Sequence, residues 1–112
     1  MVSIAMTRTP RPGSTVRGSH TGKPVMALLD LLGRRWALRV IWELRAGALT
    51  SRALRQACGG ISPTVLNDRT RELRESGLIA LEPTGYTLTP LGTELLEKFT
   101  PLVAWAERWA RR

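Results

Sequence analysis

The sequence predicts a mainly α-helical domain with one small β-hairpin, and three observations lead to this prediction. Apolar residues recur every three or four positions in five stretches, three of which open where a residue meets a proline. In the middle of the chain, a short helical stretch, a glycine-containing turn and a helix with a polar outer face follow one another. Two strand-like stretches separated by Glu82-Pro83-Thr84-Gly85 come directly afterwards. This order predicts a winged helix-turn-helix.

The charge of the chain is basic and unevenly distributed. The sequence has 17 Lys and Arg against 9 Asp and Glu, a net charge of +8. Residues 1–60 carry ten basic and two acidic groups, whereas residues 61–112 carry seven of each. A basic excess of this size favours a polyanionic partner, with nucleic acid ahead of a membrane surface.

The residue types needed for catalysis or metal binding are sparse. The chain has one cysteine and one histidine, and it shows no phosphate-binding loop and no pairing of a nucleophile with a base. We therefore expect no enzymatic activity, no catalytic residue, no metal site and no cofactor. No apolar run is long enough to span a bilayer and the N-terminus lacks a secretory signal, so we expect a cytoplasmic protein without membrane association.

The chain divides into an arm and a domain. Residues 1–22, rich in Ser, Thr, Pro, Gly and Arg, predict a disordered basic N-terminal arm, which is either a passive leader or a source of extra phosphate contacts. Residues 23–112 predict the folded domain. Its first helix opens at Lys23-Pro24 and ends at Gly33, and its second runs from about Trp36 to Ala46. The second helix is expected to bury Ala37, Val40, Ile41 and Leu44.

The third helix and the turn after it form the first half of the helix-turn-helix. Thr50 or Ser51 caps this helix, and Arg52 and Arg55 point outward from it. Its inward residues are Ala53, Leu54 and Ala57. A tight turn over residues 58–61 follows, in which glycines make a positive φ inexpensive.

The central helix is expected to read DNA. Ser62 is its N-cap and Pro63 its first residue, while Leu66, Thr70 and Leu73 form the buried stripe. Stepping about 100° per residue, the helical period, places short polar groups and arginine on the opposite side. A face of this kind suits the major groove. The expected base contacts are Thr64, Asn67 and Arg71, and the expected phosphate contacts are Ser62, Arg34, Arg35, Arg52 and Arg55, with Pro63 beside them. Asp68 either accepts a hydrogen bond from a cytosine or orients Arg71 by an i,i+3 ion pair.

The wing and the last helix complete the domain. The hairpin carries one charge, at Glu82, so minor-groove contact by the wing is not expected. Thr89-Pro90 opens the last helix, and Pro101 predicts a kink or a short break after Thr100. The apolar stripe of this helix is larger than a small core needs, so it forms either a dimer interface or the closure of the monomer core, and we favour the dimer. Its interface residues are Phe99, Leu102, Trp105, Ala106 and Trp109.

Residues 24–99 resemble the HxlR-type winged helix-turn-helix family of bacterial transcriptional regulators. The matching pieces are Leu31-Leu32-Gly33-Arg34-Arg35-Trp36, Glu43-Leu44 with Gly47, Gly60-Ile61-Ser62-Pro63, Val65-Leu66, Arg69, Arg71-Glu72-Leu73, Gly77-Leu78-Ile79 and Leu88-Thr89 through Leu91-Gly92. The resemblance implies a homodimer that binds an inverted-repeat operator in double-stranded DNA, usually as a repressor. It also implies that helices from both chain ends form the dimer, so Val25, Leu28 and Leu29 of the first helix join the interface.

We therefore predict a sequence-specific DNA-binding transcriptional regulator. The alternative is a winged-helix module for protein–protein interaction without specific DNA binding. The outward face of the central helix distinguishes the two, because apolar anchors there would favour a protein partner whereas Thr64, Asn67, Asp68 and Arg71 favour DNA. The sequence does not identify the operator, the controlled genes or an effector.

Cys58 is the one candidate for a redox switch. In many members of the family that the chain resembles, a redox-active cysteine precedes the first helix, and this chain has Lys23 there. Cys58 falls where that family usually has leucine, which predicts a buried structural side chain. The alternative is a thiolate stabilised by Arg55, one turn earlier.

Overall fold

The computed structural model describes residues 9, 10, 12 and 23–112. Within them the chain forms five helices and a two-stranded sheet: α1 Pro24–Leu32, α2 Ala37–Glu43, α3 Ser51–Cys58, α4 Pro63–Glu75, β1 Ile79–Glu82, β2 Gly85–Leu88 and α5 Pro90–Ala110. This is the predicted mainly α-helical class with one hairpin. None of these helices combines the length and the apolar character needed to cross a bilayer.

Side-chain hydroxyls fix the starts of three helices. Thr50, Ser62 and Thr89 precede α3, α4 and α5, and each accepts a hydrogen bond from the backbone N–H three residues on, at 3.0–3.1 Å. These bonds satisfy amides that have no partner inside a helix. All three caps were predicted from the sequence, which left Thr50 and Ser51 as alternatives for α3.

Helix α2 is shorter at its end than predicted. It was expected to reach Ala46 but ends at Glu43. The N–H of Leu44 is shared between the carbonyls three and four residues before it, at 3.2 and 3.3 Å, and the chain continues in turns up to Gly47. This tightening toward i→i+3 bonds is typical of a terminating helix. At the other end, Trp36 adopts a left-handed φ of 77°, so regular helix starts one residue after it.

Helix α2 lies at the centre of the core. It packs against each of the other four helices in the described part of the chain. Its predicted stripe is buried, with Ala37, Val40, Ile41 and Leu44 at most 2% exposed. The predicted inner face of α4 is buried as well, and its members are Leu66, Thr70 and Leu73. The hydroxyl of Thr70 donates to the carbonyl of Asn67 at 3.1 Å, so this buried polar group is hydrogen-bonded.

The hairpin is widened by a residue that the sequence did not predict to pair. Strands β1 and β2 are antiparallel, with Glu82 opposite Gly85. Leu49 exchanges two hydrogen bonds with Tyr86 on the other edge of β2, donating at 3.0 Å and accepting at 2.8 Å. A Cβ on Gly85 would lie 2.4 Å from the carbonyl oxygen of Leu49, and its φ is 122°, so this approach requires glycine.

Helix α5 continues without a break through Pro101. The short break predicted after Thr100 is absent, and the helix is unbroken from Pro90 to Ala110. The hydroxyl of Thr100 donates to the carbonyl of Leu96 at 2.8 Å, in the turn that precedes the proline. Residues 101–112 are all exposed, so the second half of α5 projects away from the domain.

Two residues of the predicted arm contact the domain. Thr9 and Pro10 are buried, and the hydroxyl of Thr9 donates to the carboxylate of Glu75 at the end of α4. This contact was not expected from the sequence. Residues 1–8, 11 and 13–22, including His20, lie outside the described residues.

Candidate nucleic-acid interface

The outward face of α4 is polar and accessible. Thr64 and Asn67 are exposed, and the side chains of Asp68 and Arg71 are each 40% exposed. Leu66, on the opposite side, is 2% exposed. The predicted division of this helix into a buried and a polar face is therefore observed. The polar groups stand on a 13-residue helix with a fixed start, so their positions are set by a rigid element.

Asp68 and Arg71 interact with each other in the free protein. The guanidinium of Arg71 lies 3.5 Å from the carboxylate of Asp68, in i,i+3 spacing. This is one of the two roles considered for Asp68. An ion pair this exposed contributes little free energy, so Arg71 can exchange it for a stronger contact.

The groups expected to contact phosphate lie on α3, at the start of α4 and before α2. Arg52, Arg55, Ser62 and Pro63 are exposed. Ser62 also caps α4, whose first amides form a positive helix end that favours anions. Arg35 is exposed, with its guanidinium 5.6 Å from the ring centre of Trp36. All of these side chains are accessible to solvent.

Arg34 is placed differently from the prediction. Its guanidinium lies 2.6 Å from the carboxylate of Glu72 and 3.6 Å from that of Asp30, and its side chain is 12% exposed. A cation engaged inside the domain is poorly placed to meet a phosphate, so we assign Arg34 a structural role in place of the predicted DNA contact.

Glu72 was not among the candidate residues named from the sequence. Its side chain is 2% exposed on the flank of α4, and it receives Arg34 from outside the helix and Arg69 from within it. The signal in the sequence was the i,i+3 spacing of Arg69 and Glu72, which permits an ion pair. The partner from the α1–α2 turn lies 38 residues away in the chain, and spacing along one helix does not reveal it.

The wing offers no positive charge. Residues 79–88 contain Glu82 as their one charged residue, and Leu81 of β1 is 53% exposed. Arg74 of α4 lies against the wing, 5.8 Å from the ring centre of Tyr86. The exposed arginines of the described residues therefore lie outside the wing, among them those of α3 and of the turn before α2.

Exposed apolar side chains lie on the first and the last helix of the folded domain. Val25 and Leu29 of α1 are 55% and 57% exposed, and Leu28 is partly exposed. On α5, Leu102, Trp105 and Trp109 are 50–53% exposed, with Ala106 exposed and Phe99 partly buried. The two tryptophan rings stack with centres 6.1 Å apart. A cavity of about 390 Å³ between α2 and α5, lined by Trp42, Phe99 and Val103 among others, adjoins these side chains of α5.

Cys58 is buried at the end of α3 and is 2% exposed. Burial raises the pKa of its thiol above the ordinary value, Arg39 opposes this rise in pKa, and Glu43 adds to it. The cation that lowers the pKa of the thiol is thus Arg39, whereas the sequence suggested Arg55. A raised pKa means less thiolate, which favours the structural role. Among the described residues, no cluster of His, Cys, Asp and Glu is arranged to hold a metal ion.

The fold and this polar helix define a winged helix-turn-helix transcriptional regulator, and comparison with known proteins identifies the family. The HxlR-like helix-turn-helix family model matches residues 31–112, and the chain belongs to this family. It is 30% identical over 91 residues to the HTH-type transcriptional regulator YtfH of Escherichia coli, covering 75% of this chain and 72% of YtfH. The protein is therefore a regulator and not an enzyme.

Two solved structures are similar over most of the domain. The quinone-bound YodB from Bacillus subtilis has a TM-score of 0.72 and 30% identity, covering 75% of this chain and 96% of the YodB chain. A possible HxlR family transcriptional factor from Thermoplasma volcanium has a TM-score of 0.70 and 28% identity, covering 80% of this chain and 87% of the other. Both comparisons support the same winged-helix fold.

The buried position of Cys58 predicts a thiol without a regulatory role. Cys58→Ala should lower the free energy of unfolding by about 1 kcal/mol, an ordinary cost for a small change in a core. DNA affinity should be the same for both proteins, before and after mild peroxide, because the folded state suppresses the thiolate. A fluorescence-anisotropy titration with a DNA fragment measures this. Release of DNA by oxidised wild type but not by oxidised Cys58→Ala would contradict the structural role.

Proposed function

We propose that the protein is a sequence-specific regulator that binds double-stranded DNA as a homodimer on an inverted-repeat operator and acts as a repressor in the cytoplasm. The observation that carries this proposal is the outward face of α4, where exposed polar side chains and Arg71 stand opposite a fully buried face. An apolar outward face would have favoured a protein partner. The family resemblance is the reason for proposing repression.

Base recognition is assigned to the first half of α4. The major groove admits a helix, and each base pair presents a distinct pattern of donors and acceptors there. Arg71 can pair with the two acceptors of guanine and Asn67 with the donor and acceptor of adenine, while Thr64 contributes a hydroxyl or a methyl contact. In the bound state Asp68 then either steadies Arg71 or accepts from a cytosine.

Phosphate contacts are assigned to Arg35, Arg52, Arg55 and Ser62, with Pro63 beside them. Their exposure leaves them accessible to a duplex, and the net charge of +8 draws the whole chain toward a polyanion. Each phosphate neutralised by a cation releases condensed counterions, which supplies affinity without sequence preference. These contacts hold α4 in register while its side chains meet the base edges.

The homodimer is assigned to the apolar surface of α1 and α5. Eight residues were predicted for it, and they are exposed or partly exposed in the single chain: Val25, Leu28, Leu29, Phe99, Leu102, Trp105, Ala106 and Trp109. An apolar area of this extent is unusual on a monomer and typical of an interface, in which tryptophan is a common anchor. A second copy would also cover the cavity between α2 and α5. A two-fold dimer matches the symmetry of an inverted repeat.

Arg71 provides the test of base recognition. We expect Arg71→Ala to weaken binding to a duplex selected from random DNA by about 1–3 kcal/mol, the range for a bidentate base contact. Binding to a scrambled duplex should fall much less, so sequence preference should relax. Competition titrations with the two duplexes at fixed salt measure both quantities.

Arg74→Ala is the matched control for Arg71→Ala. It removes the same charge from the same helix, but Arg74 lies over Tyr86 at the far end of α4. It should leave the preference for the selected duplex intact. Equal losses on both duplexes for Arg71→Ala would reassign that residue to phosphate. A wild type that does not distinguish the duplexes would favour the protein-interaction module.

The tryptophan pair provides the test of assembly. Trp105→Ala combined with Trp109→Ala should raise the dimer dissociation constant by two orders of magnitude or more, because interface tryptophans often contribute about 2 kcal/mol or more each. Since both rings are about half exposed on the projecting part of α5, the far-UV circular dichroism of the folded domain should persist. Sedimentation velocity over a range of concentrations measures the change.

Leu81→Ala on the wing is the control for assembly, because Leu81 is equally exposed but lies outside the proposed interface. It should leave the dimer unchanged. An unchanged dimer mass in the tryptophan variant would place the interface elsewhere, and its unfolding would show that the rings belong to the monomer core.

A further inference from the structure

Glu72 is a buried carboxylate on α4. The outward face of this helix is called the reading face below and is formed by Thr64, Asn67, Asp68 and Arg71. Glu72 is 2% exposed on the flank of α4, and its immediate neighbour Arg71 belongs to the outward face. Two cations approach it, Arg34 at 2.6 Å and Arg69 at 3.2 Å. A buried ion pair is weak evidence for stability, so the burial of this charge is open to a different explanation.

The contact from Arg34 comes from a different part of the fold. Arg34 lies in the turn between α1 and α2, where its N–H donates to the carbonyl of Leu31 at 3.3 Å and its carbonyl accepts from the N–H of Ala37 at 3.1 Å. Its backbone is therefore held by the turn. Its guanidinium reaches Asp30 of α1 at 3.6 Å and Glu72 of α4 at 2.6 Å. One side chain thus bridges α1 and α4.

This bridge constrains the rotation of α4 about its own axis, which apolar packing alone does not fully fix. Leu66 and Leu73 hold the inner face of α4 in the core, but apolar burial has no directional preference and by itself sets the rotation about the helix axis only coarsely. A charge-assisted hydrogen bond has a short length and a defined direction. Because consecutive residues of a helix stand about 100° apart, fixing the direction of Glu72 also fixes that of Arg71.

We propose that Glu72 is a positioning residue: through Arg34 it sets the rotation of α4 and thereby the direction in which its outward face meets DNA. The inference rests on the proposed DNA-binding function and adds to it a residue that touches no DNA. It also links α4 to α1, since Arg34 is shared with Asp30. Two buried atoms, Nε of Arg69 and Oε1 of Glu72, have no hydrogen-bond partner within the described residues, so the contact from Arg34 is the main directional one.

The test compares two variants with the same change of charge. Glu72→Gln and Glu75→Gln each remove one negative charge from α4, but Glu75 is exposed. If only charge matters, both variants bind every duplex slightly more tightly. Positioning predicts that in Glu72→Gln the ratio of affinities for selected over scrambled DNA falls about tenfold, which corresponds to about 1.4 kcal/mol. The same ratio should be unchanged in Glu75→Gln.

The ratio also separates positioning from stability. A loss of folded protein lowers binding to both duplexes in proportion, whereas a rotated α4 lowers binding to the selected duplex alone. Should Glu72→Gln fold poorly, Arg34→Lys gives a second measurement, because lysine keeps the charge but lacks the planar fork that serves two carboxylates. It should reduce the ratio in the same direction with little change on scrambled DNA.

A double variant tests whether the two residues act together. Arg34→Gln with Glu72→Gln pairs two neutral amides, so its loss of preference should be smaller than the sum of the losses measured for Arg34→Gln alone and Glu72→Gln alone. Additive losses, or a ratio in Glu72→Gln and Arg34→Lys equal to that of wild type, would overturn the positioning role alone. A wild type with no preference for the selected duplex would overturn the proposed function and this inference with it.

Discussion

The burial of α2 is the constraint on which the rest of the structure depends. A helix of seven residues is too short to be stable alone in water, so it exists because its neighbours cover it. Ala37, Val40 and Ile41 are at most 1% exposed, and the helix meets all four other helices in the described part of the chain. It receives the inner face of α4 on one side and the first half of α5 on another. The reading face and the apolar surface of α5 are therefore held by the same small core.

The features that the sequence predicted well are those set by local chemistry. Thr50, Ser62 and Thr89 indicate helix starts in the sequence because an N-cap hydroxyl accepts a hydrogen bond from the amide only three residues later. The two faces of α4 follow from the helical period alone. The hairpin follows from its proline and glycine. Fold class, helix order and the exposed residues of the reading face were within reach for this reason.

The features that the sequence did not predict depend on distant contacts. Leu49 pairs with Tyr86 because the backbone groups on the outer edge of β2 are not bonded to β1. The sequence around Leu49 gives no sign of this pairing. The arginine at position 34 is one of several in the sequence, and only the fold shows that it meets Glu72. The helix α5 is unbroken at Pro101, so the short break, one of the two outcomes expected there, does not occur. Sequence patterns therefore identified the reading face but not the contacts that hold it.

Three separate surfaces have three proposed tasks. We propose that the outward face of α4 distinguishes bases, that the exposed arginines of α3 and of the turn before α2 attract phosphate, and that the apolar surface of α1 and α5 pairs two chains. The first and third tasks meet in the turn that carries Arg34, since this residue contacts both α1 and α4. Arg34 thus joins the helix that carries part of the proposed dimer surface to the helix that carries the proposed base contacts.

The central claim is that two copies of α4 read two halves of one symmetric site. Selection of bound fragments from a random pool of duplexes by the wild-type protein tests it most directly. The account predicts enrichment of an inverted repeat, with half-site centres about 10–10.5 base pairs apart, one turn of the duplex, or a multiple of that distance. Enrichment of no sequence, or of a single site without two-fold symmetry, would contradict it.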